Sequence, residues 1–246
     1  MSTDKNSKES LVSTGSSDTS GKHLPLREMG ANPPAYSGTI SRHARRDEIS
    51  ESLLKRSGIS PLAVGYTLEK VQHDLVRKVI GNFIKDASSL IREGAGIMLT
   101  GEVGVGKTAI ASMIGVEAVR CGHSVTMVTH GDVQEAQFND RPDTDGQSVK
   151  GVMLQADLLI LDGFGVEFLS DNKFGPIQLE SLILKRVKFK RSTILTTRIM
   201  PPQMKREAGS LFSVIQEKMV GIVVQGKDMR QKSNEDLMRR LGMKND

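Results

Sequence analysis

The sequence predicts an α/β fold: a parallel five-stranded sheet with helices on both faces. Three observations carry that expectation. A short apolar run, Ile97 to Leu99, ends in a glycine-rich stretch over 101–108, and a helix-like stretch follows directly to Val119. A second apolar run, Leu158 to Leu161, ends in Asp162. Around them, short apolar runs alternate with helical periods, as parallel strands joined by crossover helices require.

The chain in order begins with residues 1–44, rich in Ser, Thr, Gly, Asp and Lys, with Pro33-Pro34 and almost no apolar periodicity. Such a segment buries too little surface to offset chain ordering, so it reads as a disordered N-terminal tail or a tether that orders on a partner. Residues 45–68 read as a short amphipathic helix and a connector, a segment suited to partner contact. Ile49, Leu53 and Leu54 share a face, Ser57-Gly58 stops the helix, and Pro61 begins an extended stretch. Arg45 and Arg46 fit a solvated helix start. The main domain is expected over 69–231. It opens with a long helical period (Val71, Leu75, Val76, Val79, Ile80, Phe83, Ile84) capped by Gly94. After the helix that ends at Cys121-Gly122, 124–129 alternates as a second strand, 131–138 is helical, 139–147 is a polar loop, and a helix spans about 148–156. A helix over 176–190 is apolar at Ile177, Leu179, Leu182, Ile183 and Val187. Strands follow at 192–197 and 222–225, with a helix pair between them. Residues 232–246 form a charged C-terminal tail, helical near 235–241.

Composition narrows the class. With 246 residues and 37% hydrophobic content, the chain can build one good core plus an appendage. The single cysteine, Cys121, excludes a disulfide framework and a cysteine-rich zinc cluster. Five histidines (His23, His43, His73, His123, His130) show no metal-ligand spacing, and the twelve methionines read as core filler. No apolar run is long enough to span a bilayer and no signal-peptide core opens the sequence, so a cytoplasmic protein without a membrane partner is expected. The net charge of +5 suits a nucleic-acid partner. With no Trp, two Tyr and seven Phe, contact with a single strand should be mainly electrostatic. Lys185, Arg186, Lys188, Lys190 and Arg191 could form a DNA-facing strip or a solvated helix end.

The chemistry concentrates in two motifs. Gly101-Glu102-Val103-Gly104-Val105-Gly106-Lys107-Thr108 satisfies the phosphate-loop pattern in its required strand–loop–helix setting. Glycines let successive N–H groups turn toward phosphate oxygens, and the helix that starts by Ala109 adds its positive end. Lys107 reaches β/γ-phosphates and Thr108 offers a hydroxyl to Mg²⁺. Asp162 is delivered at the C-terminal edge of a buried strand, roughly fifty-five residues on, where such a carboxylate holds Mg²⁺ directly or through water. These features predict a P-loop NTPase fold that binds ATP and Mg²⁺, with Lys107, Asp162 and Thr197 converging at the strand ends.

With both motifs placed, the chain resembles the DnaC/IstB-type branch of the AAA+ ATPases, from about Arg45 to Gln231. The resemblance is carried by 53–61 (Leu-Leu-Lys-Arg-Ser-Gly-Ile-Ser-Pro), 96–108, 121–129, 157–167, 191–198 and the closing Gly-Lys-Asp-Met-Arg of 226–230. It implies a helicase loader in DNA replication, or a transposition helper ATPase. ATP, a replicative helicase or transposase, single-stranded DNA and further copies of the chain are the implied partners. Arg230, at the end of the closing motif, could approach a nucleotide phosphate in its own subunit or across a subunit boundary.

Three departures from the family pattern bear on activity. Gly163 stands where a second acid should follow Asp162, and a glycine cannot orient a water; Glu167 is the nearest acid that could substitute. The sensor position is Arg198, leaving Thr196 or Thr197 to bond the γ-phosphate. Val214 stands where an arginine finger is expected, and no arginine lies between Arg206 and Arg230. ATP binding with weak hydrolysis is therefore expected, which also allows an adaptor that keeps ATP as a structural ligand. A small-molecule kinase is disfavoured, since no acceptor-binding constellation accompanies the loop.

Overall fold

Five strands form one sheet: β1 (Gly96–Thr100), β2 (Val125–Thr129), β3 (Leu158–Phe164), β4 (Ser192–Thr197) and β5 (Met219–Val223). Their order is β2-β3-β4-β1-β5 and every neighbouring pair is parallel. The computed structural model describes residues 49–138, 148–165, 174–207, 209–230 and 238–241. These fall within one compact unit, Arg45–Asp246. The expected tail, the polar loop over 139–147 and most of the charged C-terminal segment lie outside the described residues.

Period-two alternation assigns each strand residue to a face. Ile97 and Leu99 of β1, Leu158 and Ile160 of β3 and Ile194 of β4 pack into one cluster. On that face lie α2 (Asp74–Lys85), α3 (Ala87–Glu93) and α4 (Lys107–Arg120). Met98, Leu159, Leu161 and Leu195 point the other way. There they meet α6 (Val149–Gln155), α7 (Phe174–Lys188), α8 (Pro201–Glu207) and α9 (Gly209–Lys218). The remaining described helices are α1 (Glu51–Arg56) and α5 (His130–Phe138).

Several boundaries differ from the sequence expectation. The period over 69–93 is two helices, broken at Asp86, whose backbone leaves helical geometry. An Asp there favours local turns over helix continuation. Leu75 is exposed, because the inward stripe of α2 is Val76, Ile80 and Phe83. The connector after Ser60 contains two 3₁₀ turns, Pro61–Gly65 and Leu68–Lys70, rather than running extended throughout. β5 starts at Met219, three residues before the apolar run suggests, because full pairing with Gly96–Thr100 of β1 decides its length. Gly221 in its middle hides the strand from a propensity reading. Ile177 is exposed, off the buried face of α7 that carries Leu179 and Ile183.

The segment before α2 is built into this unit. Leu54, Ile59 and Ala63 are buried in the same cluster as α4. Ser57 O accepts Met127 N at 2.8 Å, on the outer edge of β2. Gly58 is essential to that approach: its φ is +70° and an added Cβ would lie 2.2 Å from Met127 O. The contact covers part of the β2 edge of the sheet.

Candidate nucleotide site

β1 ends at Thr100, and the chain turns through Gly101 (φ +150°), Gly104 (φ +80°) and Gly106 (φ +97°) into α4. Positive φ at Gly104 and Gly106 is what a chain of L-residues cannot adopt cheaply, so the glycine spacing dictates the loop. Lys107 is the first residue of α4 and is buried. Its ammonium folds back over the loop and donates to Gly101 O (2.8 Å) and Glu102 O (2.6 Å). Glu102 and Val103 are exposed at the loop tip, Val105 is buried beneath it, and Ala109 is half-buried in the first turn of α4.

The strand order places β4 between β1 and β3, so residues of all three meet at the C-terminal edge. Thr108 Oγ1 donates to both carboxylate oxygens of Asp162, at 2.9 and 3.1 Å. Thr196 Oγ1 donates to Asp162 Oδ1 at 2.6 Å and accepts Gly163 N at 2.9 Å. Thr196, not the expected Thr197, therefore stands beside the carboxylate. Thr197 faces the next turn, where its hydroxyl accepts Ile199 N at 3.0 Å. The period of two that places Thr196 on one side of β4 forces Thr197 to the other.

β3 runs two residues past Asp162. Its register with β4 slips between Leu161 and Phe164, so β3 carries one extra residue there. Gly163 absorbs the irregularity with φ +71° and is exposed. A bulge of this kind re-aims the side chain beside it, here Asp162 toward Thr108. A Cβ at Gly163 would touch nothing within 4 Å, so space exists for a side chain but the backbone conformation disfavours one. Glu167 lies outside the described residues.

Electrostatics distinguish this edge. Burial pushes the Lys107 ammonium below its ordinary pKa; Asp162 pulls it up, Arg198 pushes it down, Glu102 pulls up and Arg230 pushes down. Three cationic side chains of one chain thus bear on the same place. Arg198 is exposed at the end of β4, and Arg230 follows Met229, whose N–H donates to Gly104 O at 3.0 Å. A polyanion would relieve the mutual repulsion. The hydroxyl of Thr108 and the carboxylate of Asp162 are hard oxygen donors, the set that suits Mg²⁺. Among the described residues no group of His, Cys, Asp and Glu is arranged to hold a metal without such a ligand's help.

Two expected features lie elsewhere. Val214 is half-buried on α9 against the second cluster, with Ile215 fully buried beside it. Arg186 is not part of a DNA-facing strip, being completely buried. Its guanidinium donates to Met153 O (2.6 Å), Ala156 O (2.9 Å), Ser192 O (2.5 Å) and Thr193 Oγ1 (3.0 Å). Burial pushes its pKa down to about 9. A sign was present in the sequence: Arg186 shares a helical face with Leu179 and Ile183, at spacings of seven and three. Lys185, Lys188 and Lys190 are exposed. Among the described residues no helix is long and apolar enough to cross a membrane.

Comparison with known proteins agrees with this geometry. The family model described as IstB-like ATP binding protein matches residues 40–208, more than half of the chain. YdaV of Escherichia coli (strain K12), described as uncharacterized, is 27% identical over 173 residues, 69% of this chain and 68% of that protein. The replicative helicase loader DnaC of Buchnera aphidicola subsp. Schizaphis graminum is 26% identical over 164 residues, 65% of this chain and 66% of its own length. The match thus spans about two thirds of each relative. A crystal structure of the DnaC helicase loader shares the fold, with a TM-score of 0.54 at 22% identity, over 66% of this chain and 96% of that one. The glycine loop on β1, the aspartate on β3 and the matching family model give one conclusion: the chain belongs to the IstB-like ATP-binding protein family, in the DnaC/IstB-type branch of the AAA+ ATPases.

Proposed function

We propose that this chain binds ATP with Mg²⁺ and acts in DNA replication as a loader-like factor, engaging a replicative helicase and single-stranded DNA. One observation carries the nucleotide part. Thr108 and Thr196 bracket the Asp162 carboxylate directly beside a glycine loop backed by Lys107. In that arrangement loop N–H groups and the α4 terminus bind the phosphates. Lys107 exchanges its two carbonyl partners for β/γ oxygens, and Arg198 and Arg230 offset the remaining charge. Mg²⁺, held by Thr108 and Asp162, would neutralise charge on the phosphoryl group. Thr196 keeps Asp162 oriented; to bond the γ-phosphate it would have to turn its one hydroxyl proton away from that carboxylate. The replication role draws on the likeness to DnaC loaders; a transposition helper is the second reading, favoured by the family model.

Turnover is expected to be slow. Gly163 supplies no group to position water, and its φ of +71° makes an acid there strained. Val214 leaves the stretch before β5 without an arginine. Both features favour a factor that holds ATP until a partner or a neighbouring copy completes the site. The test is ATP affinity beside ATP turnover, for wild type and Lys107→Ala, with and without single-stranded DNA and a replicative helicase. Tight binding with turnover raised by DNA or helicase, both abolished in Lys107→Ala, supports the loader. Tight binding that never yields turnover leaves the ATP-stabilised adaptor. Absence of ATP binding by the wild type sinks the proposal.

A further inference from the structure

The segment after β5 stays on the nucleotide site. Val224 N donates to Thr100 O at 2.7 Å, and Met229 N to Gly104 O at 3.0 Å. Between them the Asp228 carboxylate lies against Gly104: a Cβ on that glycine would sit 1.8 Å from Asp228 Oδ1. The residues leading to Arg230 are thus seated on the phosphate loop itself. On their far side one polar side chain holds them. Gln72, just before α2, donates Nε2–H to Lys227 O (3.1 Å) and accepts Lys227 N at Oε1 (2.9 Å). The two bonds imitate the pairing of a neighbouring strand, at a sequence separation of 155 residues. Gly226 allows the close approach, since a Cβ there would lie 2.7 Å from Gln72 Oε1.

We propose that Gln72 is a positioning residue for bound nucleotide: by clamping Lys227 it keeps residues 224–230 on the phosphate loop and Arg230 at the phosphates. The inference rests on the nucleotide reading given above. Arg230 N donates to Asp228 Oδ1 at 2.8 Å, which fixes the turn from which its side chain departs. Its charge reaches Lys107 of the same chain. Gln72 is neutral and exposed, and acts through Arg230 without touching the nucleotide.

The test uses the full chain and four variants: Gln72→Met, Gln72→Glu, Arg230→Ala and the double Gln72→Met/Arg230→Ala. Met removes both bonds at similar size, whereas Glu sets a carboxylate oxygen against Lys227 O. Without nucleotide, hydrogen exchange at Lys227 and Met229 N–H should quicken at least about fivefold in Gln72→Met, with little change in melting temperature. With ATP, Gln72→Met should weaken affinity about fivefold, Gln72→Glu at least as much, and Arg230→Ala about tenfold. The double variant should bind no worse than Arg230→Ala alone, since the first substitution works through the second residue. Losses that multiply in the double variant overturn the proposal, as does unchanged ATP affinity in Gln72→Met. Unchanged exchange with ATP binding intact removes the clamp but leaves the nucleotide reading. A wild type with a protected Lys227 amide that binds no ATP removes both.

Discussion

Two aspartates at opposite ends of β3 live in contrasting surroundings. Asp157, just before the strand, accepts Ser124 N (3.0 Å) and Ser124 Oγ (2.8 Å) and pairs with Arg191. His123 lies beside it, with Nδ1 at 3.9 Å. The neighbouring His123, then the Ser124 bonds and the Arg191 charge, outweigh desolvation and hold its carboxyl far below the usual carboxylate range. Asp162, near the other end, is held by threonine hydroxyls, while two arginines, Arg198 and Arg230, bear on Lys107 nearby. At one edge charge is matched by the protein's own partners; at the other like charges are gathered at a glycine loop. Matched charge stabilises a fold, whereas mismatched charge marks a place prepared for a ligand.

The strongest way to break this comparison is at the matched edge, where Arg186 ties the end of α6 to the start of β4. Arg186→Met leaves several buried carbonyls without donors, and should cost more than about 3 kcal/mol of unfolding free energy. Urea denaturation would read this, and a loss below about 1 kcal/mol would show that water or repacking replaces the guanidinium. ATP affinity of the folded fraction should stay near wild type.

Lys107→Met should do the opposite. Removing a buried ammonium that repels Arg198 and Arg230 should leave the melting temperature unchanged or raised. ATP affinity should fall about a hundredfold, near 2.7 kcal/mol, by calorimetric titration. A variant both unstable and competent for ATP would reverse the assignment of the two edges.

A smaller effect separates them by pH. Because the folded pKa of Asp157 is depressed, its contribution is complete above the unfolded carboxylate pKa of about 4 and is lost as pH falls below it. Asp157→Asn should therefore cost about 1–2 kcal/mol at pH 7, after allowance for partial exposure. The gap to wild type should narrow steadily below about pH 4. A gap independent of pH would mean that packing, not charge, holds that end. Smallest, Gly163→Ala should cost about 1 kcal/mol through its positive φ, measured by thermal melting, because no neighbour stands in the way of a Cβ.

The site edge was more legible than the matched edge. Glycine spacing, Lys107, Thr108 and Asp162 are contiguous in their motifs, and local backbone chemistry enforces their geometry. Thr196 and Thr197 could not be separated until the register of β4 against β3 was known. Arg186 lies on the apolar face of its helix with Leu179 and Ile183, but only the packing of α6 and β4 around it supplies the carbonyls that its guanidinium binds. Gln72 gives no signal at all, since its partner Lys227 is distant in the chain and the contact depends on how β5 exits the sheet.

What the sequence determined by itself is the parallel α/β architecture, the glycine loop with its helix, and the strand-end aspartate that the structure brings to Thr108. These follow from periodicity and from glycine's backbone freedom, which act over a few residues. What the tertiary structure decided is which threonine meets Asp162, where β5 begins, that Arg186 is a buried brace, and that the closing segment is fastened by Gln72. Those outcomes depend on strand register and on hydrogen bonds between distant segments, and no local pattern encodes which buried carbonyl will find which donor.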